Sequence, residues 1–218
     1  MKTKLILASL GAVAFGGAAL TVAWPRQLRW GATAREITDA LPGDDLIVAP
    51  DLAATRAITI AASAGWVWPW IAQIGQGRGG FYSYSCLENL VGCQIRNADR
   101  IVPEWQAVAA GDEIRLAPRV PLRVAAVTPG RSLVLRGGVP AGGGAPPYEF
   151  TWAFVIGDQS DGTTRLVVRE RYGYARGWAK YLVEPVEFVS AIMTRKMLRG
   201  IRDRAERLAP EDMPTSAE

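Results

Sequence analysis

Apolar residues recur along this chain with two different periods, and the change of period divides it. In the middle the period is two. The stretches DEIRLA, LRVAAVT, SLVLRG, YEFTWAFVI and TRLVVRERYGY alternate and are rich in β-branched and aromatic residues, which predicts strands. Pro118, Pro121, Pro129-Gly130 and Asp161-Gly162 fall between them as turn residues. That spacing suits an antiparallel meander rather than βαβ units. A further strand is expected upstream, at TRAITI (residues 55–60).

Elsewhere the period is helical. Ser63 is placed to cap a short helix, AGWVWPWIAQI, in which Trp66, Trp70 and Ile74 share one face and Pro69 must distort a turn. Gly75–Gly80 follows, then a second short helix over Ser85 to Val91 that stops at Gly92. Near the C-terminus, Phe188, Val189, Ile192, Met193, Met197 and Ile201 form a stripe on a long helix from Glu184 to Leu208. Pro185 fits only if the main helix starts there, so residues 178–183 are expected to form a separate turn. Residues 137–147, GGVPAGGGAPP, read as a flexible loop.

This order predicts an α+β fold: a strand, two short helices, an antiparallel sheet and one long helix. A curved sheet cannot bury its concave face alone, and an apolar-striped helix laid across it completes the core. The domain boundaries follow as residues 1–24 for an N-terminal segment, 25–53 for a connector, 54–208 for the domain and 209–218 for a disordered tail. Within the connector, Thr33 can cap a short helix from Ala34 to Leu41.

Charge changes the picture at the N-terminus. Lys2, Lys4, Arg26 and Arg29 are its only charged residues up to position 30, so the remainder carries 21 basic and 21 acidic side chains. A sequence pI of 9.3 therefore reflects that segment, and a general nucleic-acid-binding surface is not expected. Leu5 to Ala23 holds nineteen residues without a charge, which as a helix would span about 28 Å. Small residues at Thr21 and Ala23 also suit a signal-peptidase cut. An uncleaved anchor at the cell envelope is favoured; secretion after cleavage is the alternative.

The chain has no histidine, which removes imidazole catalysis and His-based metal sites. No cofactor, metal or nucleotide is expected. The G-x-G-x-x-G spacing of Gly75, Gly77 and Gly80 follows a helix rather than a strand, so it is not a dinucleotide fingerprint and reads as a tight reversal. Cys86 and Cys93 lack C-x-x-C spacing; two unlinked thiols are favoured, and a disulfide across a broken helix end stays open.

Two strand faces carry the candidate chemistry. Tyr148, Phe150, Trp152, Phe154 and Ile156 share one face, bulky enough to fill a core or line an apolar pocket. On the last strand Leu166, Val168, Glu170, Tyr172 and Tyr174 share a face. A carboxylate there is costly unless paired, so Glu170 sits either at the strand's open end or inside a pocket. Arg165, Arg169 and Arg171 take the opposite face, expected to be solvated.

The segments RAITIAAS, VWPWIAQIGQGRGGFYSYSCLENLVG, ADRIVPEWQ, GDEIRLAP, TWAFVI and TRLVVRERY together resemble the SRPBCC superfamily over residues 54–208. It includes START lipid-transfer domains, Bet v 1-type allergens and polyketide cyclases. The resemblance implies a helix-grip fold with a cavity for a hydrophobic small molecule or lipid, roofed by the C-terminal helix. The ligand-binding candidates are then Arg78, Tyr82, Tyr84, Tyr148, Phe150, Trp152, Phe154, Glu170, Tyr172, Phe188 and Ile192, with no catalytic set carried over. Membrane-tethered binding or carriage of such a molecule is the favoured function. The alternative is a cyclase or hydrolase using Glu170 with Tyr82 or Tyr84 as acid and base.

Overall fold

Alternating stretches become strands, and each strand extends to the nearest turn residue. The computed structural model describes residues 24–90, 92–138 and 145–209. Its strands are β1 (Leu52–Ile60), β2 (Glu113–Ala117), β3 (Val120–Thr128), β4 (Ser132–Gly137), β5 (Tyr148–Asp158) and β6 (Thr164–Tyr174). They form one sheet in the order β1-β6-β5-β4-β3-β2 with every neighbouring pair antiparallel. Register shifts interrupt the ladder between Arg115 and Ala117 and between Val124 and Ala126. Such irregularities bend a sheet and increase its twist.

The helices are α1 (Ala34–Thr38), α2 (Ala64–Ala72), α3 (Ser85–Leu90) and α4 (Lys180–Leu208). The chain leaves β1 at one edge, passes through α2 and α3, and returns to β2 at the other. α4 then packs along β1 and against α2. An antiparallel six-stranded sheet closed by one long C-terminal helix fits a helix-grip architecture. Ile60, Val67, Trp70, Phe154, Leu166, Leu198 and Ile201 lie at the centre of its core.

Two expectations about α4 need correction. It is continuous from Lys180, preceded only by a single 3-10 turn at Gly177–Ala179, and Pro185 lies inside it. The missing N–H deprives only the carbonyl of Tyr181, a residue 74% exposed, so the unpaired carbonyl is on the solvent side, where losing the bond costs least. The expected stripe is also rotated in the first half of the helix. Val183, Glu187, Ala191 and Thr194 are buried there, while Val189 and Ile192 are exposed.

The arginine face of β6 is not solvated. Arg165 forms a two-pronged ion pair with Glu36, at 2.7 and 2.9 Å. Arg169 pairs with Asp44 and donates to the carbonyls of Glu36 and Asp39. Arg171 pairs with Asp44 at 3.1 Å and donates to the carbonyl of Ile47. Residues 33–48 are thus held on the sheet's outer face by three rigid forks matched to carboxylates and carbonyls. α1 itself is secured by a reciprocal capping box between Thr33 and Glu36.

The glycine loop is a tight reversal: Gly75 bridges to Gly80, and Gln76 reaches Arg115 of β2. Gly80 has φ +74°, and a Cβ there would lie 2.7 Å from the Arg96 carbonyl oxygen, so both its backbone and its surroundings require glycine. Cys86 and Cys93 are free thiols. Among the described residues no helix is long and apolar enough to cross a membrane. The proposed anchor at Leu5–Ala23, residues 139–144 of the expected loop and residues 210–218 of the expected tail lie outside the described residues.

Candidate functional site

Strand parity decides which side chains meet α4. Along β6, Leu166, Val168, Glu170 and Tyr172 face the helix. Along β1 the same face carries Arg56, paired in register with Val168 and next to the Ala54–Glu170 pair. Arg56 and Glu170 are 1% and 2% exposed, and their side chains meet at 3.2 Å. A second carboxylate, Glu187 of α4, is fully buried and also binds Arg56.

Two charges in a protein interior are tolerated only when paired and hydrogen-bonded. Glu170 satisfies that condition. Besides Arg56 it accepts from the hydroxyls of Tyr172 at 3.0 Å, Ser190 at 3.2 Å and Thr194 at 3.1 Å. Arg56 also donates from Nε to the Gln27 carbonyl at 3.0 Å, which ties the connector to the cluster. Glu187 is less well served: one of its oxygens has no partner among the described residues. Burial pushes its pKa up to about 7, Arg56 opposes the rise, and the neighbouring Glu170 adds to it. Burial likewise raises the Tyr172 hydroxyl well above its usual range, helped by Glu170.

Beside this cluster lies a cavity of about 230 Å³ between sheet and helix. Tyr148, Phe150 and Trp152 of β5 and Leu116, Val120 and Leu122 form its sheet side, and α4 contributes Leu182, Val183 and Val186. Glu170, Tyr172 and Ser190 bring polar groups to the lining, in addition to the phenol of Tyr148. The aromatic wall is interlocked, with Phe150 4.9 Å from Tyr172 and Trp152 4.8 Å from Phe154, ring centre to ring centre. Mutual packing of this kind fixes ring orientations. The Trp152 indole N–H has no hydrogen-bond partner among the described residues.

The structure brings together five of the residues suggested by the sequence: Tyr148, Phe150, Trp152, Glu170 and Tyr172 all line the cavity. The other six do not. Arg78 holds the glycine loop by donating to the carbonyls of Ala72 and Trp105, at 2.9 and 2.7 Å. Tyr82 is buried in the core with its hydroxyl on the Trp70 carbonyl at 2.9 Å. Its backbone lies so close to α4 that a Cβ at Gly200 would come within 2.3 Å of the Tyr82 oxygen. Tyr84 is at the surface beneath the Lys196 ammonium. Phe154 is enclosed in the core, Phe188 stacks on Trp24 at 6.2 Å, and Ile192 points outward. The loop tyrosines therefore do not line this cavity with Glu170.

Sequence reasoning passed over Arg56, Glu187, Ser190 and Thr194. Arg56 carried a usable signal, because it has the parity of Ile58 and Ile60, so the strand faces a charge inward opposite an inward Glu170. Glu187, Ser190 and Thr194 were hidden by the apolar residues interleaved with them.

No family model matches the chain, and no curated protein matches it. Among solved structures it is similar to the hypothetical protein jhp0584 of Helicobacter pylori, at 12% identity and a TM-score of 0.48, covering 76% of this chain and 95% of that one. Protein MLL2253 of Mesorhizobium loti matches at 12% identity and a TM-score of 0.45, with 73% and 100% covered. CalU16 of Micromonospora echinospora matches at 11% identity and a TM-score of 0.35, with 71% and 84% covered. At such scores these likenesses carry nothing about activity to this chain.

Proposed function

We propose that the domain binds a small apolar molecule with a neutral polar end, in the cavity between β5, β6 and α4. The observation that carries this reading is the cavity's division into an aromatic and aliphatic wall and one polar side made by Glu170, Tyr172 and Ser190. Sites of that composition bind by apolar burial and orient by a few polar contacts. The resemblance to the SRPBCC superfamily supports the reading through the order of elements, and the uncharged Leu5–Ala23 stretch supports tethering at a membrane.

The hydrogen-bond inventory narrows the ligand. The hydroxyl hydrogens of Tyr172 and Ser190 are given to Glu170, so these groups offer lone pairs to a ligand. The Trp152 N–H, buried without a partner among the described residues, is the donor proposed for the same ligand. An alcohol can satisfy both, whereas a carboxylate would face the charge of Glu170. Glu170 is an accepting anchor already filled by four donors, which favours binding over proton transfer.

Native mass spectrometry of the detergent-extracted full chain should show a co-purified neutral molecule. Titration with 1-octanol should change tryptophan emission and raise the melting temperature, and octanoate should do so far less. A chain that carries no adduct and responds to neither probe would sink the binding reading. Retained turnover of an identified substrate in Glu170→Gln would exclude Glu170 as an acid or base.

A further inference from the structure

The outward face of the first half of α4 is apolar. Trp178 just before it and Tyr181, Leu182, Val186, Val189 and Ile192 on it are all between 41% and 74% exposed. At helical spacing these α4 positions form one continuous strip, interrupted by few charges. A contiguous strip of this kind on a folded domain marks a contact surface.

We infer that this face lies on a lipid bilayer, with the cavity mouth at the bilayer surface. Three observations choose lipid as the occupant. First, Trp24 stacks on Phe188 with rings 5° from parallel, so the nineteen uncharged residues Leu5–Ala23 join the domain at the flank of the strip. A segment of that character inserted in a bilayer places the strip beside it. Second, the exposed basic residues Arg26 and Arg29 follow Trp24 closely in the chain, and Arg176 and Lys180 flank Trp178, which suits anionic headgroups. Trp178 and Tyr181 are the aromatic types that settle at the headgroup level. Third, Leu182 and Val186 are both exposed on the strip and part of the cavity lining. A ligand dissolved in lipid therefore reaches the cavity without crossing water.

This inference rests on the proposed tether, and one experiment separates the two. Single cysteines are placed at Val189, Ile192 and Asp203 in the full chain with Cys86→Ser and Cys93→Ser, and each carries an environment-sensitive fluorophore. The protein is reconstituted into phosphatidylcholine and phosphatidylglycerol vesicles containing acyl-chain nitroxide lipid. Labels at 189 and 192 should shift to the blue and be quenched several-fold more than the label at 203. A vesicle-bound chain with 189 and 192 unquenched would overturn the docking and leave the tether standing. A chain that does not float with vesicles would overturn both. Blue-shifted but unquenched labels would mean that protein covers the strip, and that result also overturns the inference.

Discussion

The two halves of α4 solve the same packing problem with opposite surfaces. In the second half Met197, Leu198, Ile201 and Ala205 are buried, while Arg199 and Asp203 are exposed. In the first half Glu187 and Thr194 are buried beside Val183 and Ala191, while Tyr181, Val186 and Val189 are exposed. The difference is set by what faces each half. The second half ends beside Ala61, whose N–H donates to Glu206, next to the apolar end of β1. The first half lies over Arg56 and Glu170, which need hydrogen-bond partners more than they need methyl groups. A helix thus takes its inward face from the sheet beneath it, and an amphipathic pattern read in isolation can point the wrong way.

Arg56→Met should break this contrast most severely. It strands Glu170 and Glu187 in the interior, and losing one partner of a buried ionic cluster costs about 3–5 kcal/mol. The same substitution combined with Glu170→Gln and Glu187→Gln should recover much of that loss, because no uncompensated charge remains. Urea unfolding followed by circular dichroism measures both. A triple variant as unstable as the single one would mean that the shape of Arg56, not its charge, matters.

Ile201→Ala tests the apolar half. The side chain is fully buried in the core, and such truncations cost about 2–5 kcal/mol. The loss should be independent of pH, unlike the next effect.

Glu187 makes the first half sensitive to pH. In the unfolded chain its carboxyl ionises near its ordinary value of 4.5, and in the folded protein not until about 7. Between those values only unfolding releases the proton, so stability falls as pH rises from about 4.5 to about 7 and is level above. One such group contributes at most about 3 kcal/mol across that window. Glu88, also raised to about 7 by burial, acts in the same direction. Glu187→Gln should therefore flatten part of the slope, and Glu187→Gln with Glu88→Gln most of it. Melting temperatures from pH 4.5 to 8 provide the check.

These contrasts show where the sequence was legible. Strand positions followed from alternation because period two leaves little choice of face, and Glu170 and Tyr172 were recovered together on that basis. The helix was harder. Phe188, Val189 and Ile192 made the apolar stripe, yet Phe188 went to Trp24 and the other two went outward. Their fate depended on Arg56, 131 residues from Glu187 in the chain, a separation no local period records. The arginines of β6 were misread for the same reason: their partners lie in the connector, more than 120 residues away. Arg78, Tyr82 and Tyr84 were drawn toward the cavity by a fold-level analogy, but hydrogen bonds hold Arg78 and Tyr82 elsewhere and Tyr84 lies at the surface.

The smallest effect on stability falls on the outward strip and sharpens the comparison most. Val189→Ala and Ile192→Ala remove side chains that are 48% and 43% exposed, and surface truncations usually stay within about 0.5 kcal/mol. In aqueous unfolding these variants should match the parent, while Ile201→Ala does not. If the strip rests on lipid, the order changes once vesicles are present. Val189→Glu with Ile192→Glu should leave the fold intact, yet weaken the quenching of a fluorophore at Leu182 by nitroxide lipid, because charges resist burial at the acyl boundary. Asp203→Lys in the second half should leave that quenching unchanged. Equal responses from the two halves would show that the inverted face of α4 has no separate role at a membrane. Its apolar residues would then be tolerated surface, and the inversion would serve only the Arg56 cluster.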